Sequence, residues 1–145
     1  MCIRDSYHYD NYRTGWNSQE AVLTPANVNP SSFALMHSVK LDDQVDAQPL
    51  FVANVNITAG NFQGLHDVVY ATTGSDTIYA IDSHSGAILL SGSFGTPVFY
   101  PLHCKHNGPN VGINSTSVID LTTNTLYAMV YTQDLACLLY TSRCV

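Results

Sequence analysis

Residues 66–94 limit the fold more than any other part of this chain: His-Asp-Val-Val-Tyr-Ala-Thr-Thr-Gly-Ser-Asp-Thr-Ile-Tyr-Ala-Ile-Asp-Ser-His-Ser-Gly-Ala-Ile-Leu-Leu-Ser-Gly-Ser-Phe. Two runs rich in β-branched and aromatic residues, 68–72 and 77–82, flank the turn Gly74-Ser75-Asp76, and a second turn at 83–86 leads into a third run, 87–94. Val, Ile, Thr and Tyr suit a pleated, half-buried surface, whereas Gly, Ser and Asp supply the backbone freedom and local hydrogen bonds of tight turns. Strands joined by turns this short pair with their neighbours in sequence, which predicts an antiparallel meander. Asp82, followed by Ser-His-Ser-Gly, is expected to cap backbone N–H groups of the second turn.

The rest of the chain is read outward from that stretch. Residues 7–17 are aromatic and polar without a regular period, the composition of a segment that lays its rings on something else. Trp16, Tyr7, Tyr9 and Tyr12 also make a candidate sugar-stacking platform, although such rings more often fill interfaces. Thr24-Pro25 predicts one short helical turn over 25–28, ended by Asn29-Pro30. Between 33 and 41 the odd positions are Phe33, Leu35, His37, Val39 and Leu41, a two-residue period that predicts a half-buried strand with His37 on its apolar face. Asp42-Asp43-Gln44 reads as a turn, 48–52 as a strand and 53–64 as a loop. Pro97, Pro101 and Pro109 rule out helix or central strand over 95–110. Strands are expected again at 116–120 and 125–132, around a turn at 121–124.

Both termini read as foreign. Residues 1–6, Met-Cys-Ile-Arg-Asp-Ser, can be encoded by the end tag that transposase-based sequencing libraries attach to DNA. Residues 137–142, Cys-Leu-Leu-Tyr-Thr-Ser, can be encoded by its reverse complement, and 143–145 by the start of a second copy. Excluding them as scars leaves 7–136 as the protein proper. That stretch keeps three of the five basic residues and ten of the eleven acidic ones, a net charge of −7, and one cysteine, Cys104. It therefore supports no internal disulfide. So few basic residues argue against a nucleic-acid partner, because phosphate binding needs a clustered cationic surface. No apolar run reaches the roughly 18 residues needed to span a bilayer as a helix.

A repeat runs through the chain: aliphatic-Tyr-Ala occurs at 69–71, 78–80 and 126–128, and Pro49-Leu50-Phe51 leading to Val68-Val69-Tyr70 is echoed by Ser117-Val118-Ile119 leading to Thr125-Leu126-Tyr127. At these residues the chain resembles the quinoprotein-type repeat, a β-propeller family named for pyrroloquinoline quinone (PQQ) dehydrogenases. Gln48-Pro49-Leu50 matches its small-Pro-aliphatic strand, and Val68-Val69-Tyr70 its aliphatic-Tyr strand. The run Thr77-Ile78-Tyr79-Ala80-Ile81-Asp82 and the turn Ser85-Gly86-Ala87 match the next two elements. Leu90 stands where the repeat carries Trp. The resemblance implies an all-β, incomplete β-propeller of antiparallel four-stranded blades, about one and a half of them. Residues 7–41 would form an N-terminal closure segment and lead-in strand, 42–94 the first blade, and 95–136 an inter-blade loop and the start of a second blade.

Few residues offer chemistry. Asp46, three residues before Pro49, stands where the quinone enzymes carry an acidic residue close to the cofactor, and it is the candidate cofactor-binding residue for PQQ or calcium; it reads equally well as part of a solvated turn beside Asp42 and Asp43. The enzymes also place a vicinal Cys-Cys pair over the quinone, whereas here Cys104 is followed by Lys105. His103, Cys104 and His106 lie close together but match no zinc spacing. There is no phosphate loop, no nucleophile elbow and no pair of carboxylates at catalytic spacing. The expectation is a fragment of a secreted or periplasmic bacterial propeller from a metagenomic source. It would act as a binding or scaffold module for a protein or carbohydrate ligand, its closest partners being the remaining blades of its parent chain. The alternative is the N-terminal part of a PQQ- and calcium-dependent alcohol or sugar dehydrogenase.

Overall fold

A computed structural model describes residues 7, 8, 10–99 and 108–133, together with the backbone of 138–144. Among the described residues the chain is all-β, with no helix and only antiparallel pairing. Strands β1 (Leu50–Ile57), β2 (Gly64–Thr72), β3 (Thr77–Asp82) and β4 (Ile88–Ser93) form one sheet in the order β1-β2-β3-β4, the expected meander. The first turn closes with the Thr73 N–H donating to the Thr77 carbonyl at 3.0 Å. In the second, the Gly86 N–H donates to the Asp82 carbonyl at 2.9 Å, and Gly86 sits at φ +72°, a left-handed conformation that glycine adopts at no steric cost.

Two sequence expectations are corrected. Residues 53–57, expected in a loop, continue β1: the strand absorbs an irregularity between Val52 and Val55 by placing Asn54 at φ 57°, and the Asn54 N–H is held by Asp67 Oδ1 at 2.9 Å. Asparagine tolerates that region, so a bulge forms where a run of turn-type residues suggested an end. Residues 33–41, expected to be a strand, join no sheet. Their alternation has no backbone edge to pair with, and Phe33 and Leu35 remain 66% and 83% exposed. His37 is likewise exposed rather than a core residue, its ring Nε2 meeting the His84 carbonyl. The turn at 25–28 does form, with the Val28 N–H donating to the Thr24 carbonyl at 3.0 Å.

Beyond β4, the two-residue strands β5 (Val98–Phe99) and β6 (Asn110–Val111) pair with each other. Strands β7 (Val118–Asp120), β8 (Thr125–Gln133) and β9 (Leu138–Cys144) make a third sheet in the order β7-β8-β9. Strand β9 lies in the segment whose sequence matches the library tag. Pairing with an open strand edge asks only for extended backbone, so this arrangement carries no information about where that segment came from.

The core joins the first and third sheets. Leu50 and Val52 of β1 pack with Ile119 of β7, and Ile113, Ala128 and Val130 pack with Ile78 and Phe94. Tyr70 bridges the first of these groups to Ile57, Val68, Ala80 and Leu89 inside the four-stranded sheet. Because Leu50, Tyr70, Ala80 and Leu90 stand opposite one another across the four strands, one sheet face is turned to the second unit. Tyr70 fills that interface and the small Ala80 lets it close, as their residue types suggest.

Candidate functional site

The loops at the β2–β3 turn end of the four-stranded sheet bring together Asp42, Asp43, Asp46 and Asp76. Asp43 Oδ2 accepts from Ser75 Oγ and from Asn110 Nδ2, both at 2.9 Å, while its Oδ1 accepts the Gln44 N–H at 2.8 Å. Asp42 Oδ2 accepts from Thr77 Oγ1 at 2.6 Å. Asp46, the candidate cofactor-binding residue, is exposed, and its Oδ2 accepts from Gln44 Nε2 at 2.9 Å and from Asn114 Nδ2 at 3.2 Å. Three separate stretches, 42–46, 73–77 and 110–114, are thus tied together by carboxylates that face N–H and O–H donors. Burial alone would raise the Asp43 pKa, but the donors Asn110, Gln44 and Ser75 outweigh it and hold the group below its ordinary value. A carboxylate so held is a poor base at neutral pH.

Asp76 sits within the same end and differs from the others. It is fully buried, at 0% exposure, has a left-handed backbone at φ 57°, and neither carboxyl oxygen makes a hydrogen bond of good geometry. Burial pushes its pKa up to about 6, opposed only by the nearby Tyr131 backbone N–H.

At the opposite end of β2 and β3, Asp82 performs the capping expected of it. Its Oδ1 accepts the N–H groups of Ser85 at 2.7 Å and His84 at 3.1 Å, and also the Ser85 hydroxyl at 2.7 Å. Its Oδ2 accepts His66 Nδ1–H at 2.8 Å. His66, Ser85 and the turn N–H groups together hold the Asp82 carboxyl well below the usual range. Beside it, His84 Nε2 meets Asp67 Oδ2 at 3.1 Å, and Asp67 is likewise lowered, first by the Asn54 N–H and then by His84. His66 escaped the sequence reading because its partner is sixteen residues away. The signal was the β2–β3 register: Val68 stands opposite Asp82, so His66, two residues along on the same face, reaches it diagonally.

Several other candidates fall elsewhere. His103, Cys104, His106 and Tyr9 lie outside the described residues. Trp16 is 70% exposed, and Tyr7 stacks on His8 with ring centroids 3.8 Å apart rather than on Trp16. Leu90, in the position of the repeat's Trp, is 40% exposed. It lines a groove of about 400 Å³ with Tyr70, Ile78 and Phe94, which shares Tyr70, Asn124 and Leu126 with a second cavity of about 540 Å³ running beside β1.

A cation needs oxygen atoms turned toward a common point. Asp42, Asp43 and Asp46 instead turn oxygens toward hydroxyl and amide donors, and among the described residues no three His, Cys, Asp or Glu side chains are grouped so as to hold a metal. The described residues therefore do not by themselves make a calcium site. No protein-family model, no curated protein and no solved structure matches the chain.

Proposed function

We propose that residues 7–136 belong to a secreted or periplasmic bacterial β-propeller of quinoprotein-like repeats, and that this part works as a binding or scaffold module. The observation that carries this is the pairing of a four-stranded meander with a second sheet packed on one of its faces, whose strands β7 and β8 repeat the aliphatic-Tyr pattern of β1 and β2. Further support comes from the carboxylates. Asp42 and Asp43 hold the loops at this end and Asp82 holds a turn at the other, so these three carboxylates serve structure, and the loop end offers a rigid polar surface. Asp46, with Gln44 and Asn114 beside it, is the exposed part of that surface and would contact a protein or carbohydrate ligand.

The alternative, a PQQ- and calcium-dependent dehydrogenase of alcohols or sugars, is favoured by one observation, the exposure of Asp46 at the loop end just before β1. On that reading the remaining ligands come from other parts of the parent chain. Reconstitution of the full parent chain with calcium and PQQ separates the two. A binding module gives neither a bound-quinone absorption spectrum nor dye-linked alcohol oxidation, and the appearance of both would replace the module reading with the enzyme.

A further inference from the structure

Asp76 places a carboxyl group with no hydrogen bond of good geometry in a dry space between three pieces of backbone. Its own main chain is fully engaged, the N–H donating to the Thr73 carbonyl at 3.2 Å and the carbonyl accepting the Phe94 N–H at 2.9 Å. The side chain lies against Gly112 so tightly that a Cβ on that glycine would stand 2.4 Å from Asp76 Oδ1 and 2.5 Å from the Gly74 carbonyl oxygen. There is no room there for water, and the third neighbour is the backbone of β8 at Tyr131. The turn itself carries no counter-charge. The 110–114 loop, β4 and β5 contain no titratable residue, and β8 contributes only Tyr127 and Tyr131. Tyr79 on β3 is held by Asp42. Asp42 and Asp43, bound to Thr77 and Ser75 on either side of Asp76, are themselves negative and so give it no partner.

We propose that Asp76 is a proton-operated latch: as a neutral acid it holds the β2–β3 turn against the 110–114 loop and β8, and once ionised it releases that contact. A neutral carboxyl has an O–H to offer, and the Gly74 carbonyl, crowding the same spot above Gly112, is the acceptor at hand. An ionised carboxyl in the same space has both oxygens sealed from water and no cation beside it among the described residues, which is the costliest way to bury a charge.

The direction of the pH effect follows from the raised pKa. In the opened form the group titrates near its ordinary value of 3.8, whereas in the closed form it titrates at about 6. Between those values the closed form binds more protons, so closure is fully favoured below 3.8 and the advantage is lost as the pH rises through about 6. From pH 5 to pH 7.5 the ratio of closed to open turn should fall by about tenfold.

Hydrogen-exchange mass spectrometry on dilute full chain at those two pH values, corrected for intrinsic exchange, measures this. Peptides covering 71–80 and 108–114 should be about tenfold better protected at pH 5. Asp76→Asn should keep the higher protection at both pH values, because asparagine is neutral and accepts a left-handed backbone. The same variant is the control for every other group in the chain, since a pH effect that arises elsewhere would persist in it. Equal wild-type protection at the two pH values, or a tenfold change that survives in Asp76→Asn, would overturn the latch. Should that variant fail to fold, carboxyl carbon NMR of the wild type decides: a titration of Asp76 midway between 5 and 7 upholds the proposal, and one below 4.5 refutes it.

Discussion

At the scale of single residues, the carboxylates of this chain divide by whether their partners are local. Asp82 was legible in the sequence because its cap lies within three residues, and the Asp-Ser-His-Ser-Gly order is itself a turn signal. His66 and Asp76 were not, since what each does is decided by chain distant in sequence: a diagonal neighbour for one, a glycine of the 110–114 loop for the other. The Asp82 arrangement makes a pH-dependent prediction. Asp82→Ala should cost about 1 to 2 kcal/mol at pH 7, the usual loss when a capping side chain goes. Since the folded-state pKa is lowered, that stability is present above the unfolded value and lost as the pH falls through the folded one. Urea denaturation should therefore show the gap between wild type and variant narrowing as the pH drops below about 4. A gap that stays constant from pH 7 to pH 2 would contradict the assignment.

At the scale of elements, strands with a strong two-residue or β-branched pattern and a turn at each end came through the sequence well, and β3 matches its expected limits of 77 and 82. The misses share one cause, that hydrogen-bond partners are not written in local sequence. Residues 33–41 alternate as a strand does and yet find no edge, while 53–57 carry turn residues and still pair, because Asp67 holds the bulge at Asn54. The loop-end site was visible only as scattered acids; the ties from Asn110 and Asn114 reach back 67 and 68 residues. How closely the 110–114 loop is pressed on the β2–β3 turn can be tested at Gly112. Gly112→Ala should lower stability by about 1 to 3 kcal/mol, the usual cost of overpacking. Gly92→Ala, where the nearest atom to a new Cβ is Phe94 at 3.5 Å, should change it by less than about 0.5 kcal/mol. Chemical denaturation of both variants checks this; equal effects would mean that the packing at Gly112 is looser than described.

At the scale of the whole molecule, two features are unusual for a chain meant to stand alone. Large apolar side chains at Trp16, Val22, Leu35 and Met36 are exposed along the N-terminal segment, and the groove at Leu90 and Phe94 is open on the sheet face. On the proposed reading both are surfaces that further blades of the same propeller would cover, and a repeat unit stacks because it cannot bury its faces alone. On that same reading the propeller repeat goes on past residue 136. Long-read sequencing of unfragmented source DNA through this locus tests it most directly. The reading frame should continue after codon 136 into further four-stranded repeats with aliphatic-Tyr-Ala strands and Asp-to-Gly turns, with no codons for residues 137–145. Source DNA that encodes residues 137–145 as they stand and then stops, or a continuation without such repeats, would contradict it.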